Sequence, residues 1–171
     1  MKIYVACLAA YNAGRLHGEW IDATSDAAEM GEAVAAMLAK SPVPGAEEYA
    51  IHDYDGFPDM GEYPGLDAIA ETAGLVELAA EHDLSPAAFK AIADNWHGGA
   101  RDIREAFGRW VGLFDSFREY ADEIADLYIG ETSGAAADYV SQYFDFEYHA
   151  SDLALSYTVI ETPDGVAVFY D

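Results

Sequence analysis

Residues 47–64, EEYAIHDYDGFPDMGEYP, carry six carboxylates, Glu47, Glu48, Asp53, Asp55, Asp59 and Glu62, and four aromatics, Tyr49, Tyr54, Phe57 and Tyr63, without one Lys or Arg. Such a run can ligate a hard cation, supply an acid–base pair, or present negative charge to a basic surface. Calcium ligation in a helix–loop–helix site needs oxygen donors at fixed loop positions and a Gly at the sharp turn. With Asp53 first in such a loop, Asp55 falls third, but Phe57 stands fifth, Pro58 replaces the Gly, and Pro64 takes the place of the final bidentate Glu. That pattern fails. The histidines (His17, His52, His82, His97, His149) form no HExxH or related pair, so no transition-metal site is called for. Any two of 32 acids could be posed as glycosidase acid and base, so that pairing has no specificity. GxSxG, P-loop and GxGxxG patterns are absent. The chain reads as non-catalytic, with no metal and no cofactor.

The elements that must carry these acids are readable from periodicity. EYAIHDYD alternates as a half-buried strand, with Tyr49, Ile51 and Asp53 on one face and Ala50, His52 and Tyr54 on the other. Gly56, Pro58, Gly61, Pro64 and Gly65 then break regular structure. Upstream, 2–11 and 16–23 read as strands around a turn at Gly14. Asp26 with Glu29 makes an acidic capping box before a helix carrying Met30, Val34, Met37 and Leu38. Downstream, 66–80 is helical, Ser85-Pro86 opens a second helix that Gly98-Gly99 stops, and a short third runs from Arg101 to Phe107. A strand at 109–115 precedes an amphipathic helix at 117–131, with Tyr120, Ile124, Leu127 and Tyr128 inward. Another helix runs through Tyr139, Val140, Tyr143 and Phe144, and YTVIETPDGVAVFY is a hairpin with Asp164-Gly165 at its turn. The expected fold is α+β, in three small domains: 1–63 and 109–171 mixed, and 64–108 mainly helical.

The net charge of −24 is unevenly placed. Residues 1–46, 47–85, 86–118 and 119–171 carry −2, −11, +1 and −12, and the second and fourth stretches contain no base. Repulsion between like charges destabilises a fold, and most acidic proteins relieve it by mixing signs. Apolar content of 52% excludes a disordered acidic tail. No run reaches the length of a membrane span. The single cysteine, Cys7, reads as a buried thiol, and the chain as a cytoplasmic protein. Direct nucleic-acid binding is disfavoured, since displacing counterions from phosphates takes Lys and Arg. The bases at Lys90, Arg101, Arg104, Arg109 and Arg118 read as offsets to neighbouring carboxylates.

Four ordered blocks, IYVACLAAYNAGRLHGEW (3–20), EEYAIHDYDGFP (47–58), ADLYIGETSG (125–134) and YTVIETPDGVAVFYD (157–171), resemble the ArdA antirestriction proteins of mobile genetic elements. The middle section matches only in its acidic, helical character. The resemblance implies an elongated row of three domains, homodimeric through the last. It also implies carboxylates that imitate DNA phosphates and occupy the DNA groove formed by the specificity and methyltransferase subunits of type I restriction-modification enzymes. The candidate mimics in the first base-free stretch are the six acids named above with Asp67, Glu71, Glu77, Glu81 and Asp83. In the second they are Glu119, Asp122, Glu123, Asp126, Glu131, Asp138, Asp145, Glu147 and Asp152. Trp110, Val111, Leu113 and Phe114 form a candidate dimer surface.

B-DNA carries one charge per about 1.7 Å of axis, so the net charge of one chain matches roughly 40 Å of duplex. A compact globule of this length has a radius of gyration of about 15–16 Å, and spreading the charge along an extended shape lowers its self-repulsion. Two other readings stay open on charge alone. One is a halophilic protein whose acids hold hydration, consistent with only three Lys (Lys2, Lys40, Lys90), although such acids should be evenly spread. The other is an acidic adaptor or chaperone for a basic protein. Tyr49, Tyr54 and Tyr63 are read as packing between small sheets rather than as direct partner contacts.

Overall fold

A computed structural model describes residues 1–96, 99–130 and 134–171. The fold is α+β, and the chain divides into two compact units, Met1–Lys90 and Ala91–Asp171.

In the first unit, β1 (Lys2–Cys7) is the central strand of an antiparallel sheet, between β2 (Gly18–Asp22) and β3 (Tyr49–Asp55). Its alternate residues Ile3, Val5 and Cys7 are fully buried, and together with Ile21 and Ile51 they meet Met30, Val34 and Met37 of α2 (Ala27–Ala39). The spacing of those α2 residues puts all three on one helix face, as expected from the sequence. Ile69, Ala70 and Ala73 of α3 (Leu66–Ala80) join the same core. The helix α4 (Pro86–Asn95), whose second half belongs to the second unit, opens after Ser85, whose Oγ accepts from the Ala88 N–H at 3.2 Å. Cys7 is buried and unbridged, 3.3 Å from the Ser41 hydroxyl.

Three local expectations are corrected here. The strand read over 2–11 ends at Cys7, and Leu8–Asn12 turns into a short helix, α1, in keeping with the strong helix propensity of Leu and Ala. Asp26 caps α2 by accepting from the Ala28 and Glu29 N–H groups, but Glu29 does not close the box; it accepts from the Thr24 hydroxyl at 3.3 Å. The alternation in β3 is broken by a β-bulge at His52, since Val5 pairs with Ile51 and Tyr4 with Asp53. One extra residue reverses the facing of everything beyond it. Tyr54, not Asp53, therefore shares the core side with Ile51, and Asp53 is exposed.

The second unit is built on β6 (Gly165–Tyr170), which lies between β4 (Trp110–Phe114) and β5 (Tyr157–Thr162), all antiparallel. Val166 and Val168 point to Tyr120 of α6 (Phe117–Gly130), while Phe169 points the other way, into Trp96, Trp110 and Phe107 of α5 (Ala100–Phe107). Burial on both faces explains why VAVF carries no polar residue. The polypeptide between α6 and the hairpin forms α7 (Ala135–Tyr143) and α8 (Phe146–Leu153). The sequence reading has no separate α8; Asp145 opens it by accepting from the Tyr148 N–H at 2.9 Å. Leu127 and Tyr128, expected to face inward, are 63% and 68% exposed, so the buried stripe of α6 is Tyr120, Ala121 and Ala125.

The hairpin is present, but its two loop residues are Pro163 and Asp164, and Gly165 opens β6. At φ +142° Gly165 adopts a backbone conformation that other residues avoid, and a Cβ there would meet the Phe114 carbonyl oxygen at 2.7 Å. Gly98, part of the expected stop before α5, and Glu131 lie outside the described residues; Gly99 is the residue preceding α5, its N–H donating to Asp102 at 2.8 Å.

Candidate functional site

The acidic stretch begins on β3 and folds back along it. Gly56 at φ +61° and Gly61 at φ +82° supply the left-handed turns that only glycine adopts without strain. The returning chain is tied at three points. The Ile51 N–H donates to the Glu62 carbonyl at 2.9 Å, the Tyr54 hydroxyl donates to the Gly61 carbonyl at 2.6 Å, and the Gly61 N–H donates to the Asp59 carboxylate at 2.8 Å. Phe57 is buried and stacks on Tyr54, anchoring the loop to the core. Burial raises the Tyr54 phenol above its ordinary pKa; a Met60 backbone hydrogen bond opposes this and the Asp59 carboxylate adds to it. A loop so tied holds Asp53, Asp55, Asp59 and Glu62 in fixed, exposed positions, beside exposed Glu47 and Glu48.

The candidate acids that follow line the outer side of α3 and its end. Asp67, Glu71, Glu77, Glu81 and Asp83 are exposed, while Ile69, Ala70, Ala73, Leu75, Val76 and Ala79 are buried. Asp67 and Glu71, like Glu77 and Glu81, are four residues apart, which places each pair on one face a turn apart. No charged side chain is fully buried among the described residues, so the described carboxylates keep contact with water.

In the first unit two of the lysines lie away from this array and one lies beside it. Lys2 pairs with Asp22 and Lys40 with Glu19, both at 3.5 Å and both at β2, the opposite edge of the sheet from β3. The Arg15 guanidinium donates to the Pro42 carbonyl. Lys90 lines a cavity with Asp53 and Asp59. Of the bases expected to offset nearby acids, Arg101 does so by pairing with Glu105 at 3.5 Å, while Arg109 donates to the Tyr170 carbonyl at 3.1 Å.

Arg118 goes further. Its guanidinium donates to Asp122 at 2.6 Å within α6 and to Glu147 on α8, and lies 5.8 Å from the centre of the Phe146 ring. The hydrogen bond to Asp122 is the larger reason that the guanidinium pKa lies above its ordinary value. Two of the candidate acids thus share one positive charge within the chain. Glu119, Glu123, Asp126, Asp138, Asp145, Glu147 and Asp152 are exposed; Glu119 also accepts from the Asp115 N–H at 2.8 Å. The link from Arg118 to Glu147 spans 29 residues and depends on how α8 packs, so no local spacing could reveal it.

The four candidate interface residues sit on β4, at one side of the second sheet. Val111 and Phe114 pack partly on the unit's own core, and Trp110 meets Phe107 and Phe169; all four are partly exposed. Tyr49 and Tyr54 pack as expected, but Tyr63 is 71% exposed.

Among the described residues no group of His, Cys, Asp and Glu could hold a metal ion, and no helix is long and apolar enough to cross a membrane. What the arrangement offers is dense negative charge on ordered backbone, able to engage a basic surface of matching spacing. No curated protein matches the chain. A family model described as antirestriction protein (ArdA) matches residues 3–168.

Proposed function

The chain belongs to the ArdA antirestriction family, and from that premise we propose that it acts as a non-catalytic mimic of DNA, filling the DNA groove of type I restriction-modification enzymes. The observation that supports this reading most is the union of exposed side chains and hydrogen-bonded backbone at β3 and its returning loop. Asp53, Asp55, Asp59 and Glu62 stand in water, as phosphates do, yet the backbone that bears them is tied by hydrogen bonds and by Phe57. Preorganised charge loses less conformational freedom on binding than charge on a mobile chain. The groove contributed by the specificity and methyltransferase subunits is the partner surface in this reading, which operates in the cytoplasm where incoming DNA is cleaved. Segments 1–63, 64–108 and 109–171 are then three successive stretches of an elongated mimic.

We place the homodimer contact on β4, which pairs only with β6 among the described residues and so leaves an edge for a second copy. Leu113 is the residue to alter, because Val111 and Phe114 belong partly to the core. L113E should give monomers by light scattering with an unchanged circular dichroism spectrum; unfolding instead would assign Leu113 to the interior. For the function itself, the test is capture from a lysate containing an active type I system. Recovery of restriction subunits in a fixed ratio, with no covalent change to either protein, is expected. Recovery of an unrelated basic protein would favour an adaptor, and recovery of nothing would favour acids that serve hydration.

A further inference from the structure

One cleft in the first unit has a composition that general charge display does not explain. Its volume is about 430 Å³ and its lining is Leu8, Tyr11, Asn12, His52, Glu62 and Tyr63. Three elements are drawn together to make it. The Leu8 N–H donates to the Glu48 carbonyl at 3.0 Å, which fixes the start of α1 against β3. The bulge at His52 turns that ring outward, where it meets Tyr11 edge-on with centroids 5.2 Å apart. The Ile51 hydrogen bond to Glu62 sets Glu62 and Tyr63 on the remaining side.

Tyr11 and Tyr63 are 55% and 71% exposed, which leaves ring surface uncovered in a setting dominated by carboxylates. No Lys or Arg lines this cleft. Aromatic faces carry negative quadrupole charge, and a cation set among them beside a carboxylate is held by both; guanidinium groups take this position more often than ammonium groups and also stack on the ring. We propose that this cleft receives an arginine side chain of the bound partner, its guanidinium against the Tyr11 and Tyr63 rings and paired with Glu62. The inference rests on the reading that a basic protein groove is the partner, and adds one discrete anchor to an otherwise distributed charge.

The test has two parts. The first uses the intact wild-type protein with acetyl-Gly-Arg-Gly-amide and its neutral citrulline analogue, read by NMR of assigned tyrosine rings. The arginine peptide should shift the Tyr11 and Tyr63 rings saturably, and the citrulline peptide should not. Exposed Tyr128 and Tyr148, outside the cleft, should respond weakly to either. Equal response to both peptides, or equal shifts at all four rings, would overturn the proposal. The second compares inhibition of a type I enzyme by Y63F, which keeps the ring, and Y63L, which keeps bulk but loses the quadrupole; neither changes net charge. Y63F should inhibit as wild type and Y63L about 3- to 30-fold more weakly, the range of a cation–ring contact from exposed to desolvated. Wild-type potency in Y63L overturns the anchor while leaving the mimic standing. Wild-type inhibition that DNA cannot compete overturns the mimic whatever the peptides show.

Discussion

Converting Asp53, Asp55, Asp59 and Glu62 to Asn or Gln, singly and together, separates distributed charge from a discrete site. The amides are close in shape to the acids, and Asn at 59 still offers an oxygen to the Gly61 N–H, so the loop keeps its ties. The quadruple variant changes net charge from −24 to about −20, with little change in structure. All four side chains are exposed, and an exposed ion pair contributes about 0–1 kcal/mol. Taking about 0.5 kcal/mol for each, a single substitution weakens inhibition roughly twofold, and all four weaken it by about 2 kcal/mol, or roughly thirtyfold. Removing like charge should also raise the melting temperature slightly, because the self-repulsion falls. The assay is the midpoint of inhibition in a cleavage reaction at two salt concentrations, with every variant weaker at the higher salt. A single amide that abolishes inhibition, or a quadruple variant equal to wild type, refutes the reasoning. D59A is the control for architecture: it removes the acceptor as well as the charge and should lose more than D59N.

Three further outcomes follow from the second unit. R118Q makes the chain more negative, so pure charge counting predicts stronger inhibition; because Arg118 holds α8 to α6 through Glu147, we expect a lower melting temperature and weaker inhibition, with R118K intermediate. G165A forces a side chain into a left-handed backbone against the Phe114 carbonyl and should cost about 1–3 kcal/mol in chemical denaturation; an unchanged midpoint would contradict the assigned turn. The Tyr120 hydroxyl donates to that of Tyr157 at 2.8 Å, and burial, with that hydrogen bond, raises its pKa above the ordinary tyrosine value. A folded-state pKa raised above the unfolded value gives stability that is complete at neutral pH and lost as pH climbs past about 10. Y120F should flatten that alkaline loss, measured by thermal melts from pH 8 to 12.

The sequence was most informative where one periodicity governs an element. The stripe Met30, Val34, Met37 and the bounds of α3 follow from helical spacing, and VAVFY reads as a strand because alternation is replaced by burial on both faces. It was least informative where the deciding contact is distant. The bulge at His52 exists because of the register against β1, and that register alone turns Asp53 outward and Tyr54 inward. Leu127 and Tyr128 look like core by type and spacing, but no element covers them among the described residues, since Ala121 and Ala125 mark the face that packs. The start of α8 was visible in principle, as an Asp before an amphipathic run, but the reading went no further than the helix through Tyr139, Val140, Tyr143 and Phe144. Of the candidate surface, the acids themselves were plain in the sequence; which of them the chain pairs with a base of its own, Asp122 and Glu147 sharing Arg118, was not.

Competition with DNA bears most directly on the claim that these carboxylates stand in for phosphates. The protein is titrated into a type I cleavage reaction at several concentrations of target DNA, and the inhibition midpoint is read at each. Occupation of the DNA groove predicts a midpoint that rises in proportion to DNA once DNA exceeds its own dissociation constant, with full cleavage restored at high DNA. A midpoint that stays constant as DNA is raised would mean that the protein binds elsewhere, and the mimic would be abandoned.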